Sequence, residues 1–284
     1  MQIITTQRAL IEQIIKIKSE DKTIGFVPTM GALHEGHISL MKKCVAENDV
    51  AVASIFVNPT QFNNTDDLAR YPRTLENDCE LLEKVGVNIV FAPEGSEIYS
   101  KNDLKTPFEF DFRGLDKVME GIFRPNHFNG VVQIVSKLFA LVQPNRAYFG
   151  EKDFQQLAII RLMTKTLNFP VEIVGCPIVR EESGLALSSR NALLSETERQ
   201  IAAHIHAVLA ESKTFFNETS VAELKNCAIA AIEKKEPLKV EYFEIIDGNS
   251  LQNINDWRSS DYVVGCITVH CGKVRLIDNI CYKK

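Results

Sequence analysis

The chain has 284 residues, 45% of them hydrophobic and 24% charged, which is enough for one large or two modest globular domains with a real core. A formal net charge of -5 implies no basic surface of the kind that neutralises a nucleic-acid backbone, so nucleic acid is not an expected partner, and no uncharged apolar stretch approaches the ~20 residues of a membrane span. The cysteines at 44, 79, 176, 227, 266, 271 and 281 are odd in number and include no C-x-x-C pair, so they read as buried thiols of a reducing, cytoplasmic protein with no disulfide expected.

In chain order, Leu10, Ile11, Ile14 and Ile15 follow helical spacing, "TIGFV" at 23–27 is a short buried strand, and Leu40, Met41, Cys44 and Val45 resume the helical period. "VAVASIFV" at 50–57 is the next strand, followed by a helix carrying Leu75, Cys79 and Leu82, and then "VNIVFA" at 87–92. Further on, "HFNGVVQIVSKLFALV" predicts a helix, "RAYFG" a strand end, "DFQQLAIIRLMTKTL" a helix and "VEIVG" at 171–175 a strand. Strands separated by helices return in the same direction, so this half is a Rossmann-like parallel sheet with helices on both faces. From about 195 the texture changes to two helices and three strand-like runs, "KVEYFEII", "DYVVGCITV" and "KVRLIDNI". That pattern is α+β and places the boundary near 176: a first domain over 1–176 and a smaller C-terminal domain over 177–284.

The stretch "VPTMGALHEGH" at 27–37 is the loop and first helical turn after a strand, at the carboxyl edge where open α/β sheets bind ligands. Gly31 and Gly36 allow close backbone approach. A helix N-terminus suits phosphate, and His34 and His37, three residues apart, add two donors on one side. In isolation an H-x-x-H pair also fits surface residues or part of a zinc site, but zinc needs three or four ligands and no third Cys or His lies nearby. Neither a P-loop nor a G-x-G-x-x-G fingerprint occurs here. Three more stretches converge on the same edge. "IFVNPTQF" brings Asn58 and Gln61, "FGEKDFQQ" brings Gly150, Lys152, Asp153 and Gln156, and "LALSSRN" adds two hydroxyls and Arg190 from the interdomain segment.

These motifs together carry a resemblance. His-x-Gly-His after a strand and "LSSR" after the sheet resemble the two signatures of nucleotidyltransferases and class I aminoacyl-tRNA synthetases. "PTMGALHEGH", "FVNPTQF", "YPRT", "HFNGV", "FGEKDFQQ", "REESGLALSSRN" and "RLIDNI", in this order from residue 24 to 280, closely resemble the pantoate-β-alanine ligase family. The chain departs at Asn63 and Asn126, where that family commonly has glycine; Asn also tolerates left-handed backbone.

The resemblance implies ATP-dependent condensation of pantoate with β-alanine through a pantoyl adenylate, magnesium accompanying the triphosphate with protein ligands that the sequence leaves unknown, and a homodimer. It implies catalytic roles for His34, His37, Lys152 and Arg190. ATP would be held by Met30, Gly31, Ala32, Leu33, His34, Glu35, Gly36 and His37, by Gly150, Glu151, Lys152 and Asp153, by the backbone at Val179, and by Leu187, Ser188, Ser189 and Arg190. Gln61 and Gln156 would orient pantoate, with Met30, Phe62, Val131, Ile134 and Val135 as apolar walls. The polar segment 63–78 has the length and turn content of a covering flap. Two other functions share some of these features: a nucleotidyltransferase that adenylylates a phosphate monoester, which needs more basic residues for the acceptor, and a non-enzymatic nucleotide-binding module, which has no use for Gln61, Lys152, Gln156 and Arg190 at one edge.

Overall fold

A computed structural model describes residues 1–63, 65–100, 103 and 108–284. The chain divides into two compact units. The first comprises Met1–Asp116, Gly121–Glu151 and Gln156–Cys176; the second comprises Lys117–Glu120, Lys152–Gln155 and Pro177–Lys284. Two short segments, 117–120 and 152–155, thus lie inside the stretch read as the first domain yet pack with the second unit.

The first unit is built on a six-stranded sheet of β1 (Gln2–Ile4), β2 (Ile24–Thr29), β3 (Val50–Ile55), β4 (Ile89–Phe91), β5 (Arg146–Gly150) and β6 (Glu172–Cys176). The spatial order is β1-β4-β3-β2-β5-β6 with parallel pairing throughout. Strand alternation explains why the sheet is covered on both faces. Val50 and Val52 join one apolar cluster with the helices Gln7–Ser19 and His127–Val142, whereas Ala51 and Ala53 join another with Glu35–Glu47 and Leu75–Lys84. The chain winds outward from β2 through β3 to β4, then resumes on the other side of β2 with β5 and β6. The topological switch point therefore falls between β2 and β5, which pair at Gly25↔Arg146 and Phe26↔Ala147.

The second unit is a three-stranded antiparallel sheet of β7 (Leu238–Asp247), β8 (Val263–Cys271) and β9 (Val274–Lys283), with the helices Glu196–Phe215 and Val221–Glu233 sharing its apolar core. Both helices start on a reciprocal cap, Ser195 with Glu198 and Ser220 with Glu223, which fixes where each begins. Among the described residues no helix is long and apolar enough to cross a membrane.

Candidate active site

Because the strands of the first sheet run parallel, all their carboxyl ends share one edge, and the histidine loop leaves β2 there. His34, with extended backbone at φ -138° and ψ 174°, is the N-cap of the helix Glu35–Glu47. Its Nδ1 accepts the N–H of Gly36 at 3.1 Å, and His37 Nδ1 in turn accepts the N–H of His34 at 3.4 Å. This is a capping box made of two histidines. A backbone N–H only donates, so each Nδ1 presents its lone pair and each neutral ring carries its proton on Nε2. The two rings lie side by side with centroids 4.1 Å apart. The sequence placed two donors on one side of the helix start; the geometry adds which nitrogen of each ring holds the proton.

Between β2 and that cap, Gly31 and Ala32 have φ of 82° and 50°, both in the left-handed region. For Gly31 this is unstrained, and a Cβ there would come within 3.0 Å of Asp78 Oδ2. For Ala32 it is strained. Asp78, with no exposed surface, holds the turn: its carboxylate accepts the N–H of Ala32 at 2.9 Å, the N–H of Leu33 at 2.8 Å and the hydroxyl of Thr74 at 3.1 Å. Successive N–H groups converging on one anion make a small backbone nest. Sequence reasoning missed Asp78, which sits in "LENDCELLEK", where an acid on a charged helix reads as solvated. It also qualifies the flap expected over 63–78. Residue 64 lies outside the described residues, but Tyr71 is buried, edge-on to Phe62 with centroids 5.7 Å apart, and Asp78 is wholly interior. The end of that segment is a clamp on the histidine loop.

Gln61 closes the short 3-10 turn Pro59–Gln61 after β3 and is buried. Its Nε2 donates to Met30 Sδ at 2.9 Å and its Oε1 accepts from Asn58 Nδ2 at 3.2 Å, which brings two predicted pantoate residues together. The turn packs against the helix His127–Val142 at Gly130, where an added Cβ would lie 2.4 Å from the Thr60 carbonyl oxygen. That close approach explains the glycine of "HFNGV". Val131, Ile134 and Val135 on this helix are buried in the core. Asn126, one of the two departures, adopts φ 65° as the helix N-cap, so asparagine meets the left-handed requirement, whereas Asn63 donates its side-chain N–H to the Pro125 carbonyl. A cavity of about 630 Å³ opens along the ends of β2, β3 and β4, lined by Met30, Gly31, Phe56, Arg73 and Asp78 among others. Gln61 and the two histidines are not part of its wall.

At the end of β5, Gly150 and Glu151 belong to the first unit, as does the half-buried Gln156 on the helix Phe154–Thr166. Its neighbour Gln155 is buried in the second unit, donating to Val118 O at 2.9 Å and accepting from Glu120 N at 2.9 Å, so of the two glutamines Gln155 is structural. Lys152 and Asp153 also fall in the second unit, together with Val179, Leu187, Ser188, Ser189 and Arg190. The Lys152 ammonium has no ion-pair partner among the described residues. Val179 O accepts the N–H of Leu187 at 3.0 Å, and Arg180 bridges Ala186, so residues 179–187 fold back on themselves and deliver Ser188. Ser188 caps the 3-10 turn Ser189–Leu193, its Oγ accepting the N–H of Arg190 at 3.2 Å. Lys152 and Ser188 line one small cleft with His206 and Asp278.

A parallel α/β sheet whose switch point carries a histidine-capped helix defines an enzyme of the His-x-Gly-His nucleotidyltransferase fold. Residues 2–281 match the family Pantoate-beta-alanine ligase, and the chain belongs to it. It is 61% identical to the pantothenate synthetase of Phocaeicola vulgatus and 57% identical to that of Bacteroides thetaiotaomicron, each over 284 residues and 100% of both chains. Among solved structures, the pantothenate synthetase of Thermus thermophilus superposes with a TM-score of 0.92 at 40% identity, covering 100% of both chains. The pantoate-beta-alanine ligase of Francisella tularensis, solved with Beta-gamma ATP and Beta-alanine, gives 0.80 at 37% identity, covering 99% of this chain and 98% of that one.

Proposed function

We infer that this chain condenses pantoate with β-alanine to form pantothenate, converting ATP to AMP and pyrophosphate. The observation that carries the reading is the histidine-capped helix start that follows β2, the strand paired with β5 at the switch point of the sheet. In the first step a pantoate carboxylate oxygen attacks the α-phosphorus and pyrophosphate departs. In the second the β-alanine amine attacks the acyl carbon, the acyl C–O bond breaks, and AMP leaves with that oxygen.

Negative charge grows on the phosphoryl oxygens and pyrophosphate during the first step, so fixed donors and cations are the main available catalysts. The Nε2–H groups of His34 and His37 and the ammonium of Lys152 are suited to that role, with Ser188, Ser189 and Arg190 as further phosphate contacts. The loop Met30–His37 and residues Gly150–Asp153 would hold the triphosphate, Leu187 and the Val179 backbone the rest of the nucleotide. Gln61 beside Met30, and Gln156, would orient pantoate. Proximity to an already activated acyl group supplies most of what the second step needs. Magnesium would enter with the nucleotide, coordinated mostly through phosphate oxygens and water; among the described residues no group of three or more His, Cys, Asp or Glu is placed to hold a metal ion. The resemblance further implies a homodimer, which sedimentation over a range of concentrations tests. The reaction order is tested by exchange of labelled pyrophosphate into ATP, which should require pantoate and proceed without β-alanine; exchange that appears only with β-alanine present would refute a separate adenylation step.

A further inference from the structure

The motif "RLIDNI" at 275–280 runs along the chain with the others, yet neither half-reaction gives it a task. It lies in β9, paired with β8 at Ile267↔Asp278 and Cys266↔Asn279. A strand interior favours β-branched and aromatic residues, and a buried polar side chain persists there only when its groups find partners. Asp278 and Asn279 are both buried, and each side chain is hydrogen-bonded to a distant part of the chain. Asn279 Nδ2 donates to the carbonyl of Lys152 at 3.0 Å. Asp278 receives Arg180 through two parallel contacts of 2.7 and 2.9 Å, and Arg180 Nη1 also donates to the Gly184 carbonyl at 3.1 Å. Arg180 is thereby fixed in the fold-back that ends at Ser188. A planar, two-pronged guanidinium–carboxylate contact sets orientation as well as distance.

We propose that Asp278 and Asn279 are positioning residues for adenylation, one dipeptide holding both Lys152 and the loop Ser188–Arg190 in a common frame before the nucleotide arrives. All of these contacts lie within the second unit. The elements they join are far apart in sequence, by 127 residues for Asn279 and Lys152 and by 98 for Asp278 and Arg180. Donors that are already placed need no reorganisation as charge develops, and a displacement near 1 Å costs about a hundred-fold in rate. The proposal rests on the reading of Lys152 as the cation of the first step.

The test is a double-mutant cycle of Asn279→Ala and Lys152→Ala, read by pantoate-dependent exchange of pyrophosphate into ATP. Asn279→Ala should lower the exchange rate about ten- to a hundred-fold, with its melting temperature within a few degrees of the parent. In the Lys152→Ala background it should add no more than about two-fold, because the group it positions is gone. Effects that multiply would overturn the proposal and make Asn279 a general structural residue. If Lys152→Ala alone leaves exchange unchanged, the reading of Lys152 falls and the proposal with it, an outcome distinct from multiplication. Should Asn279→Ala not fold, Asn279→Ser carries the same cycle.

Discussion

Asp78→Asn isolates the clamp on the histidine loop while keeping size and shape nearly constant. The native carboxylate accepts three hydrogen bonds, two from the successive N–H groups of Ala32 and Leu33 and one from Thr74. An amide keeps one accepting oxygen and turns an NH2 group toward an N–H, so at least one contact is lost and one buried donor is left unpaired. A hydrogen bond to a charged group contributes ~1.5–3 kcal/mol and an unsatisfied buried donor costs ~1–3 kcal/mol, which together give a loss of about 3 kcal/mol or more. The left-handed backbone at Ala32 adds to the strain on the freed loop. Part of the loss therefore appears as local opening of residues 30–34, which widens the distribution of His34 and His37. Thermal melting should fall by roughly 6–12 °C for a protein of this size, and the KM for ATP should rise together with a drop in turnover. Ala32→Gly, added to the variant, relieves the strained φ and should restore part of the stability. Unchanged ATP kinetics in Asp78→Asn would mean that the loop holds its shape without the carboxylate.

Gln61→Leu removes a buried amide next to Met30. If that amide pairs with a pantoate hydroxyl, the variant should lose activity, and its preference for pantoate over the analogue lacking the hydroxyl should shrink by roughly 1–3 kcal/mol; an undiminished preference would make Gln61 structural and move the specificity to Gln156. A separate prediction concerns acid stability. Burial pushes the His206 imidazole below its ordinary pKa, the neighbouring Arg180 cation adds to the shift, and Asp278, 3.8 Å away, opposes it. A depressed pKa means that the unfolded chain takes up the proton first, so this contribution to stability is complete above about pH 6.5 and is lost as pH falls through the lower folded value. His206→Gln should flatten the pH dependence of urea midpoints below pH 6.5, and an unaltered slope would place the acid sensitivity elsewhere.

What was readable in the sequence was whatever local patterning dictates. The helix His127–Val142 coincides with its apolar period, and β2, β3 and β5 with their short apolar runs. The strand β1 was missed because three residues show no period and its partner β4 lies far along the chain. Asp78 was hidden by a helix whose other acids are solvated, and its role depends on a loop 45 residues earlier. Gln155 and Gln156 are adjacent on one helix and differ by about 100° around its axis. Only packing assigns Gln155 to Glu120 and Val118. The segments 117–120 and 152–155 were assigned by sequence position, whereas side-chain contacts with the antiparallel sheet decide their place. Glu120 accepts Arg275 through two nitrogens and Tyr242 and Thr268 through their hydroxyls, and Asn279 donates to Lys152.

The measurement that tests the account most directly follows an oxygen atom. With pantoate labelled by 18O in its carboxylate and unlabelled ATP, formation of an acyl adenylate and attack of β-alanine at the acyl carbon transfer one carboxylate oxygen to the phosphorus. One atom of 18O per turnover should appear in AMP and none in pyrophosphate. Label in pyrophosphate, or AMP free of label while pantothenate accumulates, would contradict attack of the carboxylate on the α-phosphorus.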